Sequence, residues 1–328
     1  MAFALAFHGT FRRYRDVAAV TEVTYLHEPV MVEEVLDLLP LSPGGVAVDG
    51  TLGLGGHSMR FAQRVAPGGT LLATEWDESM YERATARLAS VKDVEVKTRR
   101  DDFRNLPSIL KELNLHPNGI LFDLGLNSAQ VDDPTRGISF QAEGPLDMRM
   151  DRTKGETAAS LLNRMSPREI EDLLFENGER WARAIAKSIV ERRKENPLRT
   201  TKDLVDAILA AVPKGARDKR INPATKTFQA IRIAVNRELN GLEEAFTGAA
   251  ESLAKGGVVA ILSYHSGEDA IAKNVFRELA ATGKFEEVTR KPLRPSEAEV
   301  QRNPRSRSAR LRALRRIGSG STDSDRKQ

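Results

Sequence analysis

The 328-residue chain contains no cysteine. Disulfides, thiolate zinc sites and a cysteine nucleophile are therefore excluded, and a reducing compartment is a consistent setting. It also lacks any apolar run of the roughly twenty residues that a membrane span needs. No run of histidines and acids stands out as a metal-ligand cluster, so no metal is expected. The first residues, MAFALAFHGTFRRYR, place a short apolar stretch before the arginines, the reverse of a secretory signal. Residues 1–26 are read as a disordered N-terminal extension, against the alternatives of a misassigned start codon and of an organelle transit peptide, and are set outside the fold argument. No large excess of either charge is present: the formal net charge is only +4.

What is present points to a soluble globular protein. Hydrophobic residues make up 40% of the chain, enough for a real core, and charged residues 29%. The length fits one large domain or two smaller ones. The basic residues are unevenly spread. Seven arginines and no acid lie between Arg302 and Arg316, and Arg12–Arg15 forms a second cluster. Such patches suggest an anionic partner, RNA first, against the alternative of solvated charge runs.

The richest stretch is Ala47–Ser58, AVDGTLGLGGHS. A short apolar run delivers Asp49, then Gly50, Gly53, Gly55 and Gly56 make a glycine-dense turn, and His57 opens a helix. A strand, glycine-rich turn and helix let a nucleotide-like ligand lie against bare backbone. A dinucleotide fingerprint would need glycine where Ser58 stands, which weakens a nicotinamide reading. S-adenosylmethionine, which carries a sulfonium and no phosphate, fits the acid before the turn better.

Strands and helices then alternate. Strands are predicted at Val46–Val48, Thr70–Thr74, Val94–Thr98 and Gly119–Leu124, with helices at Val30–Leu39, His57–Val65, Glu78–Leu88 and Leu106–Leu113. This pattern implies a doubly wound parallel sheet, with ligands outside the carboxyl ends of its strands. Asp49, Glu75, Asp101, Asp102 and Asp123 all fall near such ends. From Gln141 to Leu242 only helical patterns remain, and a buried strand returns at Gly256–Ser263. The expected organisation is an α/β domain over residues 27–140 and 243–316, an all-helical insertion over 141–242, and a disordered tail over 317–328.

Several local patterns occur in a fixed order. They include His27-Glu28-Pro29-Val30, Asp49-Gly50-Thr51 with Gly53-x-Gly55-Gly56-His57-Ser58, and Asp123-Leu124-Gly125 with Asn127-Ser128-Ala129-Gln130. Arg136-Gly137-Ile138-Ser139-Phe140, Gly144-Pro145-Leu146-Asp147-Met148-Arg149 and Asn177-Gly178-Glu179-Arg180 follow. Pro223-Ala224-Thr225, Thr227-Phe228-Gln229-Ala230, Ser263-Tyr264-His265-Ser266 and Asn303-Pro304-Arg305-Ser306-Arg307-Ser308 complete the series. Over His27 to Arg312 the chain resembles the MraW family, the ribosomal RNA small subunit methyltransferases H.

The resemblance implies a Rossmann-like class I S-adenosylmethionine methyltransferase with a helical insertion. It also implies methylation of the exocyclic N4 of a cytidine in the decoding centre of 16S rRNA, within the small ribosomal subunit and in the cytoplasm. Carried over by residue, cofactor contacts fall on Gly55, Gly56, His57, Glu75, Phe103, Asp123 and Gln130. Glu75 would take the ribose hydroxyls, since one carboxylate can accept from two hydroxyls. A homodimer is left open. The chain departs from the family in three places. Glu75 stands where aspartate is usual, Asn127-Ser128-Ala129-Gln130 where Ser-Ser-Pro-Gln is usual, and Tyr264 and Gly267 in a motif that usually has phenylalanine and leucine.

The chemistry sets its own demands. A cytosine amino group is a poor nucleophile because its lone pair is delocalised into the ring. In-line placement and acceptors for its N–H protons are needed. Asp123 and Asn127 are the catalytic candidates, Asn127 also being readable as a turn residue. Tyr264 and His265 are candidates for stacking on and bonding to a splayed base. Asp147 and Arg149 either shape the substrate cleft or form an ion-pair hinge. Two rivals are a DNA amino-methyltransferase, whose usual proline pair after the fourth strand is missing here, and a non-catalytic RNA-binding factor.

Overall fold

The computed structural model describes residues 29–217 and 222–317. The Arg12–Arg15 cluster, the N-terminal extension, His27, Glu28 and all but Ile317 of the expected tail lie outside the described residues. The chain divides into two compact units. One holds the described residues of 26–127 and 239–328, the other residues 128–238. The helical unit thus begins at Ser128, upstream of Gln141, where the sequence pattern changes.

The first unit is built on a seven-stranded sheet of order β3-β2-β1-β4-β5-β7-β6. Its strands are β1 (Val46–Asp49), β2 (Gly69–Thr74), β3 (Val94–Arg99), β4 (Gly119–Asp123), β5 (Val258–Ser263), β6 (Phe285–Glu287) and β7 (Arg310–Arg316). The first five run parallel, and β7 runs antiparallel to both β5 and β6. Strand order reverses between β1 and β4, which leaves a crevice outside their carboxyl ends. Its parallel part is the doubly wound sheet that the alternating pattern implies, and the whole agrees with the Rossmann-like class I methyltransferase fold that the resemblance implies. Strand β7 is an addition to the strands that the sequence pattern predicts: Leu311, Ala313 and Leu314, set among its arginines, are fully buried.

Helix α1 (Val32–Leu38) precedes β1, and α2 (Gly56–Val65), α3 (Glu78–Leu88) and α4 (Leu106–Glu112) fall between the early strands. The period-two alternation of each strand sends neighbours to opposite faces. Ala47, Leu71, Leu121, Ala260 and Leu311 pack with residues of α1, α2 and α3 on one face. Val48, Leu72, Phe122, Ile261 and Leu314 pack on the other, with α4 and with α11 (Leu242–Ser252) and α12 (Ser266–Ala281).

The helical unit comprises α5 (Ser128–Asp132), α6 (Ala158–Arg164), α7 (Pro167–Glu176), α8 (Ala182–Glu195), α9 (Thr201–Ala211) and α10 (Ala224–Asn236) around its own apolar core. Ser166 caps α7 as its sequence signals. Its hydroxyl accepts from Glu169 N, Glu169 closes the box, and Pro167 occupies the first turn.

Candidate active site

Carboxylates stand at the ends of three adjacent parallel strands. Asp49 closes β1, Asp123 closes β4, and Glu75 directly follows β2. Asp49 and Glu75 are buried and Asp123 is partly exposed. The main chain fixes each one. Gly53 N donates to Glu75 Oε2 at 2.8 Å, and Asp77 N to Oε1 at 2.9 Å. Ser58 Oγ donates to Asp49 Oδ2 at 2.6 Å, and Thr51 N to Oδ1 at 3.2 Å. Asp123 N donates to Thr51 Oγ1 at 2.6 Å, tying the end of β4 to the glycine-rich turn.

The turn is shaped for close approach. Gly53 (φ +54°) and Gly55 (φ +78°) adopt the left-handed backbone that a side chain disfavours. A Cβ on Gly56 would meet Pro29 Cγ at 2.9 Å. His57 follows, buried, with Nε2 3.7 Å from Asp123 Oδ2.

Burial dominates the electrostatics. It pushes the Asp49 carboxyl up to about 6 against the opposing hydrogen bonds from Ser58 and Thr51. Burial, with a smaller contribution from the charge of Asp49, pushes Glu75 and Asp123 up to about 7. Among the described residues no lysine or arginine pairs with any of the three. Buried carboxyls that repel one another and lack a cation favour a positively charged ligand. They disfavour a pyrophosphate.

S-adenosylmethionine fits this donor set. It has a cationic sulfonium, an ammonium, a ribose diol and no phosphate. Both Glu75 oxygens are anchored by backbone N–H groups, and each keeps a second lone pair for a hydroxyl. Trp76 follows Glu75 directly, and Arg104 brings it together with Phe103. The Arg104 guanidinium sits 5.3 Å from the Trp76 ring centre and 5.9 Å from that of Phe103. Asp102 holds this arginine, accepting from Nε at 2.8 Å and also from Nη2. Phe103 packs edge-on against Phe122, with ring centres 5.7 Å apart.

The loops after β4 and β5 converge. The Tyr264 ring lies against Gly125, where a Cβ would come within 3.1 Å of Cδ2, and its hydroxyl donates to Asp123 Oδ1 at 2.8 Å. Burial raises the Tyr264 hydroxyl well above its ordinary value, so it stays protonated as the donor. Glu268 Oε2 accepts from Tyr264 N at 2.9 Å. His265 caps α12, its Nδ1 accepting from Glu268 N at 3.4 Å. Asn127 Nδ2 lies 3.1 Å from where a Gly53 Cβ would stand.

Gly55, Gly56, His57, Glu75, Phe103, Asp123, Asn127, Tyr264 and His265 thus belong to one unit and gather at the strand ends and the loops that follow. Gln130, Asp147 and Arg149 belong to the helical unit. Gln130 is buried on α5. Asp147 and Arg149 form a two-pronged ion pair, with Nε–Oδ1 at 2.7 Å and Nη2–Oδ2 at 2.9 Å. Burial works against the Asp147 charge, but the Arg149 hydrogen bonds win and hold the carboxyl below its ordinary range.

Sequence reasoning noticed Asp49 but gave it no site role, and it missed Thr51 and Glu268. Glu268 carried a signal: a polar residue followed three positions later by glutamate is a capping box, here with histidine as the cap.

Comparison with known proteins gives one answer. The MraW methylase family matches residues 24–317. The chain is 42% identical over 309 residues to the ribosomal RNA small subunit methyltransferase H of Syntrophobacter fumaroxidans, covering 89% of this chain and 97% of that one. It is 44% identical over 310 residues to the protein of the same name from Geotalea daltonii, covering 89% and 99%. The corresponding Symbiobacterium thermophilum protein is 42% identical over 315 residues, covering 91% and 99%.

Proposed function

Because this chain belongs to the MraW methylase family, we propose that it methylates the exocyclic N4 of a cytidine in the decoding centre of 16S rRNA, on the small ribosomal subunit in the cytoplasm. The observation that carries the cofactor half of the reading is the set of carboxyls at the ends of β1, β2 and β4, raised by burial and paired with no lysine or arginine among the described residues. The names of the relatives support the substrate half.

When bound, S-adenosylmethionine supplies an electrophilic methyl group on a sulfonium. The chain supplies position and proton acceptance. Glu75 takes the ribose hydroxyls, the Gly53–Gly56 turn admits the ligand to bare backbone, and Phe103 flanks the base. Gln130 completes the cofactor edge. Asp123 lies at the topological switch point, where its Oδ2 can accept an N–H of the incoming amine and localise the lone pair. Tyr264 fixes Oδ1, so the carboxylate presents one orientation. Asn127 adds an amide beside the same turn. His265 borders the target base.

The test is to incubate the protein with S-adenosylmethionine and unmethylated small subunits and to read the cytidines by mass spectrometry. One added methyl on a cytidine base, lost in Asp123→Ala, is the expected result. Methyl transfer to DNA but not to 16S rRNA would overturn the proposal.

A further inference from the structure

The seven C-terminal arginines do not act alike. Four lie in β7, and each is held by a partner within the sheet unit. Arg312 Nε binds Asp269 Oδ1 at 2.7 Å, with Arg310 Nη1 3.7 Å from the same carboxylate. Arg315 lies 3.5 Å from Glu286, and Arg316 Nη1 donates to the carbonyls of Glu251 and Leu253 at 2.6 Å. These groups brace the sheet.

The strap that joins β6 to β7 is different. It runs antiparallel to β7 along that strand's outer edge, and Leu293 exchanges two backbone hydrogen bonds with Leu311, at 2.9 and 3.0 Å. Because Arg310 lies beside Ser263, the strap climbs toward the carboxyl ends of the parallel strands. There α13 (Glu297–Arg302) is pinned by Glu299, whose buried Oε1 accepts from Met31 N at 2.7 Å. Met31 follows closely on Pro29, which packs on Gly56 in the cofactor turn. The strap therefore ends on the same rim of the sheet as Asp49, Asp123 and Tyr264.

Its side chains are strongly basic. Arg290, Lys291, Arg294 and Arg307 are exposed. Among the described residues none of the four has a carboxylate partner. The only exposed acid on the strap is Glu297, since Glu299 is turned inward.

We propose that Arg290, Lys291, Arg294 and Arg307 form a phosphate-binding rim that seats the RNA backbone beside the reacting end of the sheet. This rests on the reading of the protein as an RNA methyltransferase. The strap sets position and affinity, not the choice of base.

The test uses the full chain with all four residues changed to alanine. Its control is Lys255→Ala with Lys284→Ala, exposed lysines at the opposite end of the sheet. Binding to unmethylated small subunits and to a short RNA stem-loop is followed from about 50 to about 200 mM salt. In the fourfold variant the slope of log affinity against log salt becomes shallower by about 0.7 to 0.9 for each phosphate that is no longer neutralised. The KM for subunits rises by about an order of magnitude, kcat stays within about twofold, and S-adenosylmethionine affinity is unchanged. The charge-keeping set Arg290→Lys, Lys291→Arg, Arg294→Lys and Arg307→Lys keeps the slope. An unchanged slope and KM in the alanine variant would overturn the proposal. So would a variant that aggregates with its RNA affinity intact, for then the charges only guard an open sheet edge. If the wild-type chain binds RNA with a strap-dependent slope but transfers no methyl group, the rim stands and the methyltransferase reading fails.

Discussion

The Tyr264 hydroxyl donates a 2.8 Å hydrogen bond to Asp123 Oδ1 across the ends of two neighbouring strands. It is the main interaction that lowers an Asp123 carboxyl raised by burial. Tyr264→Phe removes that bond and little else. A hydrogen bond to a charged group contributes about 1.5–3 kcal/mol, which corresponds to roughly one to two pKa units. The acid limb of the kcat profile is expected to move up by about that much. Activity at neutral pH falls and recovers at higher pH. A uniform loss at every pH would show that Tyr264 serves packing alone.

Cofactor affinity should depend on pH in a defined direction. Asp49, Glu75 and Asp123 titrate near 6 to 7 in the folded protein. A cation is held best when they are ionised. Affinity for S-adenosylmethionine is expected to rise between pH 6 and pH 8 by about tenfold or more. Binding at neutral pH should release protons, visible as a dependence of calorimetric heat on buffer ionisation enthalpy.

The same groups give the ligand-free fold the opposite trend. Their folded pKa values lie above their unfolded values, so the folded state holds more protons between the two. Their stabilising contribution is fully present below about pH 4 and is lost as pH rises through about 6 to 7. The change is on the order of a few kcal/mol for each group. Thermal melts of ligand-free protein should show this loss, and Asp49→Asn should flatten it.

Glu75→Ala removes both ribose acceptors and leaves Gly53 N and Asp77 N without their partner. Cofactor affinity should fall by about a hundredfold or more. Glu75→Asp restores the residue usual in the family but cannot reach both backbone donors as placed. An intermediate loss is expected in an equilibrium titration. Equal loss in the two variants would argue against a ribose contact.

Glu268→Ala unseats Tyr264 N and opens the cap of α12. A stability loss of about 2–3 kcal/mol is expected by denaturant unfolding. The pH profile should also shift as in Tyr264→Phe, because the tyrosine loses its anchor. Stability loss without a shifted profile would separate the two roles.

Much of this architecture was legible in the sequence. Strands β1, β2 and β4 announce themselves as short apolar runs ending in acids, β3 by its alternation, β5 as a buried apolar run, and α7 by its cap and proline. The glycine turn is legible because few other residues tolerate its backbone. Strand β7 was hidden because its arginines at 310, 312, 315 and 316 outweigh Leu311, Ala313 and Leu314 in any local average. Only the partners Asp269, Glu286 and two carbonyls, distant in sequence, let that strand lie inside a sheet. Likewise Tyr264 and Asp123 are 141 positions apart. Their bond follows from strand adjacency, which local pattern does not encode.

The place of β7 bears on how the chain is made. Emerging from the ribosome, β6 precedes the strand that is its sole neighbour in the sheet, and β5 precedes its antiparallel partner. Until Arg310–Arg316 is synthesised, the apolar row Val258–Leu262 faces an open flank. The sheet closes from within, by a late insertion. A transcript broken before Arg310 would yield a product carrying the cofactor turn and the acids, yet presenting an unpaired hydrophobic edge to chaperones and proteases.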